Sequence, residues 1–245
     1  MTPHMKSFTV ATQNDIRKAA SLGFPLAMLT ADLSKGPPFF PRRAARGDIL
    51  GIYKSGAGIK ADPSFLARAA ARAGFSGALL DLGDENSHEA SLICRALLSS
   101  GLTPYVPAEL AECSERCALI VPGAISGGSF ELMLEHFKSS FPKRPLALDL
   151  VRTRHEFTMP SKEPFGKLVR RERFANLMEK YPRSYFSPQL VCRYITFKEN
   201  GKPRFLMFDT PETAALKADM ARKAGFSACF ALYGEWGGDI PLILG

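Results

Sequence analysis

The sequence predicts an eight-stranded α/β barrel, and three observations lead there. Short apolar runs alternate with helical patterns along nearly the whole chain. Eight such runs fit within 245 residues. A content of 46% hydrophobic against 23% charged residues can bury a large core and excludes disorder as the main state. Strand–helix alternation repeated eight times at this length matches a (β/α)8 barrel, here as a single domain over residues 1–245.

Strands are predicted at residues 8–12, 26–30, 49–53, 77–82, 103–107, 118–122, 146–151 and 228–233. Each is a short, mainly apolar run, as expected of a parallel strand buried on both faces. Helical spacing predicts helices at 14–22, 63–73, 87–99, 130–141, 167–180 and 212–224. Residues 34–48 (SKGPPFFPRRAARGD) are rich in proline and glycine, so a long loop replaces the helix there. Runs at 190–197 and 204–208 flank Glu199-Asn200-Gly201-Lys202, which predicts an extra β-hairpin before the last helix. A doubly wound open sheet is the alternative, but its glycine fingerprint is missing after the first strand.

No apolar run reaches the roughly 18–20 residues that span a bilayer. The first thirty residues lack a charged start leading into an apolar core, so a soluble, cytoplasmic protein is expected. Thirty-two basic residues against twenty-four acidic ones give +8. They are scattered, which argues against nucleic acid. The densest stretch, 167–173 (KLVRRER), runs into FANLMEK and reads as the solvated face of a helix. A polyanion-binding alternative would use Arg42, Arg43, Arg46 and that stretch.

Five cysteines are odd in number and too few for a disulfide framework. Cys113 and Cys117 lack a second pair at zinc spacing, and Cys94, Cys192 and Cys229 sit in apolar runs as small core residues. No metal or cofactor is expected. Ser55-Gly56-Ala57-Gly58 lacks the Lys-Ser/Thr of a phosphate loop, and no Gly-x-Ser-x-Gly elbow is present.

Ligands of such barrels bind at the carboxyl ends of the strands, so polar residues there are the site candidates. Asp81 interrupts GALLDL and Asp149 interrupts LALDLV. A carboxylate in such a strand must be paired or wetted by a cleft, and Lys54, Arg152 and Arg154 are candidate partners. Glu109 and Glu235 follow their strands, and Tyr233 and Trp236 flank the latter. Aromatic rings beside a carboxylate suit a sugar. His155-Glu156 has the composition of a general acid–base pair.

Four stretches, within about residues 45 to 236, resemble the chitinase-type family 18 glycoside hydrolases, particularly compact bacterial members acting on cell-wall or spore polysaccharides. Ser55-Gly56-Ala57-Gly58 is similar to that family's S-x-G-G. Residues 74–83 (GFSGALLDLG) are similar to G-F-D-G-I-D-I-D-W-E. Residues 208–217 (FDTPETAALK) are similar to F-E-D-x-x-S-x-x-x-K, and 224–230 (AGFSACF) to the entry into the eighth strand.

The departures fall where the family does its chemistry. Its acid Glu corresponds to Gly83, its middle Asp to Leu79 and its leading Asp to Ser76, which leaves Asp81 as the motif's one carboxylate. The M-x-Y-D closing the sixth strand corresponds to Ile120-Val121-Pro122-Gly123, and the aromatic floor to Leu232. Hydrolysis there is substrate-assisted, and losing the acid alone removes about 10²–10⁴ in rate. The resemblance therefore implies a barrel without that activity, binding a chitin- or peptidoglycan-like glycan, another small molecule or a partner at its mouth, with association with a cell wall or spore as an alternative location. Lys54, Ser55, Asp81, Glu109, Asp149, Tyr233, Glu235 and Trp236 are the expected binding residues. An active glycosidase with a relocated acid remains the alternative, with Asp81, Asp84 and Glu85 as catalytic candidates beside Asp149 and Glu235.

Overall fold

The computed structural model describes residues 5–36, 43–83, 87–161 and 163–245. Strands β1 (Lys6–Thr12), β2 (Leu26–Asp32), β3 (Ile49–Tyr53), β4 (Gly77–Asp81), β5 (Thr103–Pro107), β6 (Ala118–Pro122) and β7 (Leu146–Asp149) follow in order. Helices α1 (Ile16–Ala20), α2 (Pro63–Ala73), α3 (Ser87–Ser99) and α4 (Phe130–Ser140) come between them. Caps set the helix ends. The Asp62 carboxylate accepts from the amides of Ser64 and Phe65 at the start of α2, and Gly74 ends that helix with φ +90°. Residues 108–113, between β5 and β6, form only 3₁₀ turns.

An antiparallel unit follows β7: β8 (Arg154–Thr158), β9 (Lys167–Leu168), α5 (Arg171–Lys180), β10 (Tyr185–Ser187), β11 (Cys192–Glu199) and β12 (Lys202–Phe208). The chain then returns through α6 (Pro211–Lys223) to β13 (Ala228–Leu232), and ends in the short helices α7 (Tyr233–Trp236) and α8 (Ile240–Leu244). The eight parallel strands β1-β13-β7-β6-β5-β4-β3-β2 close into a barrel, as the eight apolar runs predict.

The inserted sheet, in the order β10-β11-β12-β8-β9, is larger than the predicted hairpin. The hairpin itself is present. Glu199 pairs with Lys202 across Asn200 (φ 52°) and Gly201 (φ 74°), a turn with two left-handed residues. The additional strands are short and partly polar, so no apolar run marks them. His155 and Glu156 lie side by side on β8 and therefore point to opposite faces. Glu156 is buried against Arg173 (2.9 Å) and Arg204 (3.5 Å), so the two do not form an acid–base pair. The helix predicted over 167–180 begins only at Arg171, because Lys167 and Leu168 pair with Glu156 and His155. One face of the inserted sheet packs Ile195, Phe197, Leu206 and Phe208 under α5 through Phe174 and Leu177. Phe157, Cys192 and Met207 form a separate cluster.

Inside the barrel, Phe8, Leu79, Tyr105 and Phe230 fill the lumen. Phe8 stacks on Phe230 at 5.1 Å, and Tyr105 meets Phe230 edge-on at 5.3 Å. A plugged lumen confines ligands to the ends of the barrel. Leu80 and Leu82 pack outward into the barrel–helix core while Leu79 packs inward, so Asp81 falls on the lumen side at the top of β4. The same alternation from Ala147 places Asp149 on the lumen side of β7.

All five cysteines are free, and Cys94, Cys117, Cys192 and Cys229 are buried. No helix among the described residues is long and apolar enough to cross a membrane.

Candidate functional site

Three acidic residues converge at the mouth. Asp149 and Asp81 cap β7 and β4, and α7 starts directly after β13, turning Glu235 back toward β7. The turn is pinned from both sides: the Arg152 amide donates to Glu235 Oε2 (2.9 Å) and the Arg152 guanidinium to the Glu235 carbonyl (2.8 Å). Asp149 keeps some open surface but is ringed by protein. Burial raises its carboxyl to about 7, and the charges of Glu235 and Asp81 add to that. Asp81 itself is exposed to solvent, so here the cleft wets the carboxylate.

Tyr233 is partly exposed beside Glu235. Trp236 is 2% exposed and donates its indole N–H to Leu150 O (2.8 Å), while the Arg152 guanidinium lies 4.9 Å over its ring. It supports the mouth from below. Glu109 is exposed on the rim after β5. Lys54, partly buried, follows Tyr53, which is in register with Asp81. Ser55 belongs to a separate knot: its hydroxyl and amide, with the Ser34 hydroxyl (2.6 Å), donate to Asp32. Burial pushes the Asp32 carboxyl up, but the bonds from Ser34 and Ser55 outweigh it and hold it well below the usual carboxylate range. Asp32 is not legible as a site residue in the sequence, because the run predicted as the second strand stops at Thr30 and the predicted loop begins only at Ser34.

Asp84, Glu85 and Arg42 lie outside the described residues. Gly83 is exposed with φ +72°, a backbone conformation that β-carbon-bearing residues rarely adopt. Gly123, at the end of β6, donates its amide to Asp149 O (2.8 Å), and a β-carbon on it would meet that oxygen at 2.5 Å. No side chain fits there without moving β7. Among the described residues no group of His, Cys, Asp and Glu could hold a metal ion.

Beyond Glu235 a cavity of about 480 Å³ opens between the mouth and α5, lined by Arg152, Arg154, Arg171 and Tyr233 among others. The Arg171 guanidinium donates to Gly234 O. In the run 167–173, named above for a polyanion, nothing singles out Arg171 from its neighbouring cations or ties it to the mouth. Only the folding of the insertion over the mouth brings it to the site. Arg173, from the same run, is held by Glu156 and Glu199.

No sequence-family profile and no curated protein matches the chain. Solved structures do. The Bacillus cereus spore cortex-lytic enzyme SleL is similar over 99% of this chain and 74% of its own, at 12% identity and a TM-score of 0.61. A chitinase from Chromobacterium violaceum is similar over 98% of both chains, at 13% identity and 0.61. A GH18 chitinase from Cycas revoluta, solved with allosamidin, is similar over 98% of both at 14% identity and 0.57. At such identities the likeness is one of architecture: the chain has the closed (β/α)8 barrel fold of the GH18 chitinases and of SleL.

Proposed function

We propose that the barrel mouth binds a glycan and does not carry out the substrate-assisted hydrolysis of the family its sequence resembles. The observation that carries this reading is the mouth itself. Asp81, Asp149 and Glu235 offer hydrogen-bond acceptors beside the partly exposed Tyr233 ring, above a lumen closed by aromatic side chains. Gly83 and Gly123 stand where that family places an acid and an acetamido-binding carboxylate. A structural neighbour from Cycas revoluta was solved with (GlcNAc)3, which supports an amino-sugar polymer as the first ligand to try. Calorimetric titration with N-acetylglucosamine oligomers, beside an assay of their cleavage, tests the reading. Binding without turnover is expected. Absence of binding both of these oligomers and of their acidic counterparts, or turnover in the usual enzyme range of about 1–10³ s⁻¹, would overturn it.

One observation favours a second reading, an active glycosidase with a relocated acid. The Asp149 carboxyl, raised to about 7 by burial, is tuned like a general acid working near neutral pH, with Asp81 and Glu235 as neighbouring carboxyl groups. Under that reading cleavage is measurable and Asp149→Asn abolishes it. Under the first, Asp149→Asn changes only binding and stability.

A further inference from the structure

The cavity beyond Glu235 is positively charged in a way that scattered surface arginines do not explain. Arg152 comes from the segment after β7, Arg154 from the start of β8 two residues on and Arg171 from the first turn of α5, so two stretches of chain bring three guanidinium groups to one space of about 480 Å³. None of the three forms an ion pair with a carboxylate among the described residues. Backbone carbonyls and a ring position Arg152 and Arg171 instead. Arg152 donates to Glu235 O and lies over Trp236, and Arg171 donates to Gly234 O. Arg154 Nε is buried with no hydrogen-bond partner among the described residues, the kind of unsatisfied donor that a folded protein rarely keeps without a reason. Two carboxylates, Asp15 and Glu235, also line the cavity, one fewer than the guanidinium groups, and Glu235 offsets part of the repulsion at Arg154. Asp15 Oδ2 accepts from the Thr12 hydroxyl (2.7 Å), and Glu235 Oε2 accepts from the Arg152 amide. The arginines also act on one another: burial, then the charges of Arg152 and Arg171, depress the Arg154 guanidinium.

Converging guanidinium groups held in place by neutral acceptors are preorganised for an anion, and their planar forks match a carboxylate. The cavity shares Glu235 and Tyr233 with the mouth, so a ligand seated over Asp81 and Asp149 reaches it with one substituent. We infer that this cavity binds the carboxylate of an acidic glycan, so that the sugar recognised at the mouth is a carboxyl-bearing one. The inference rests on the glycan-binding reading above and narrows its substrate class.

The test is a matched pair titrated calorimetrically into the full chain: N-acetylglucosamine oligomers against oligomers in which alternate sugars are N-acetylmuramic acid, the same ring with a lactyl carboxylate. Acetate and inorganic phosphate serve as free-anion probes. The acidic member is expected to bind about 10–100-fold more tightly, the range set by one or two charge-assisted hydrogen bonds. That ratio should shrink with added salt and approach one in Arg154→Gln and Arg171→Gln, with thermal melting confirming that each variant is folded. Equal binding of the two members by the unmodified protein would overturn the inference and leave the glycan-binding reading standing. No binding of either would overturn both. Acetate or phosphate binding as tightly as the acidic sugar would also overturn it, because the cavity would then be a plain anion site.

Discussion

Lys217 Nζ lies 2.9 Å from both carboxylate oxygens of Asp209, and each residue is only 2% exposed. The pair spans two turns of α6 and ties it to the insertion, since Asp209 also accepts from the Thr153 amide (3.3 Å) and the Thr213 hydroxyl (3.0 Å). Thr210 and Thr213 form a reciprocal capping box at the same helix start. The stretch 208–217, which resembles a family motif, therefore acts as a structural clamp between the inserted sheet and the last long helix.

Lys217→Met removes the partner of a buried carboxylate. Loss of about 3–5 kcal/mol of unfolding free energy is expected, read from urea denaturation at neutral pH. A loss below about 1 kcal/mol would show that the pair is not isolated from water.

Asp149 makes stability depend on pH. Its folded-state pKa of about 7 stands above the ordinary value of 3.8. The stabilisation is thus fully present below about pH 4 and is lost as pH rises toward 7, because the unfolded chain gives up this proton first. At about 1.36 kcal/mol per pKa unit the effect reaches up to about 4 kcal/mol. Asp149→Asn should flatten the fall between pH 4 and 7 and raise stability at pH 7, measured as denaturation midpoints across that range. An unchanged profile would mean that the carboxyl is ionised at little cost.

Phe230 stacks on Phe8 and receives the edge of Tyr105 at the centre of the plugged lumen. Phe230→Ala leaves a cavity bounded by eight strands that cannot collapse independently. A loss of about 3–5 kcal/mol is expected in chemical denaturation.

Gly123→Ala drives a β-carbon into the Asp149 carbonyl. The end of β7 must shift, at a cost of about 1–3 kcal/mol, and the shift falls on the mouth. Weaker ligand binding together with lower thermal stability is the expected result. An unperturbed melting temperature would show that the strand end yields freely.

The barrel strands were legible because each is an apolar run closed by a turn, and both faces of such a strand bury side chains whatever lies next to it. The hairpin was legible from Asn200-Gly201, whose left-handed backbone is written in those residue types. β8 and β9 were not. In RHEFT the buried Glu156 owes its place to Arg173 and Arg204, which arrive from α5 and β12. That limit does not reach Asp81: Leu80 and Leu82 flank it and turn outward, and side-chain direction in a strand is a local property.

By itself, then, the sequence determined the eight barrel strands, the apolar faces they bury and the inward direction of Asp81. All of these follow from short-range periodicity and apolar burial. Only the tertiary structure decided that Glu235 turns back toward Asp149, that Trp236 is buried as a support, and that Arg152, Arg154 and Arg171 surround one cavity. Those relationships join segments far apart in the chain. Charge–charge and hydrogen-bond energies depend on distances that no local pattern of residues encodes.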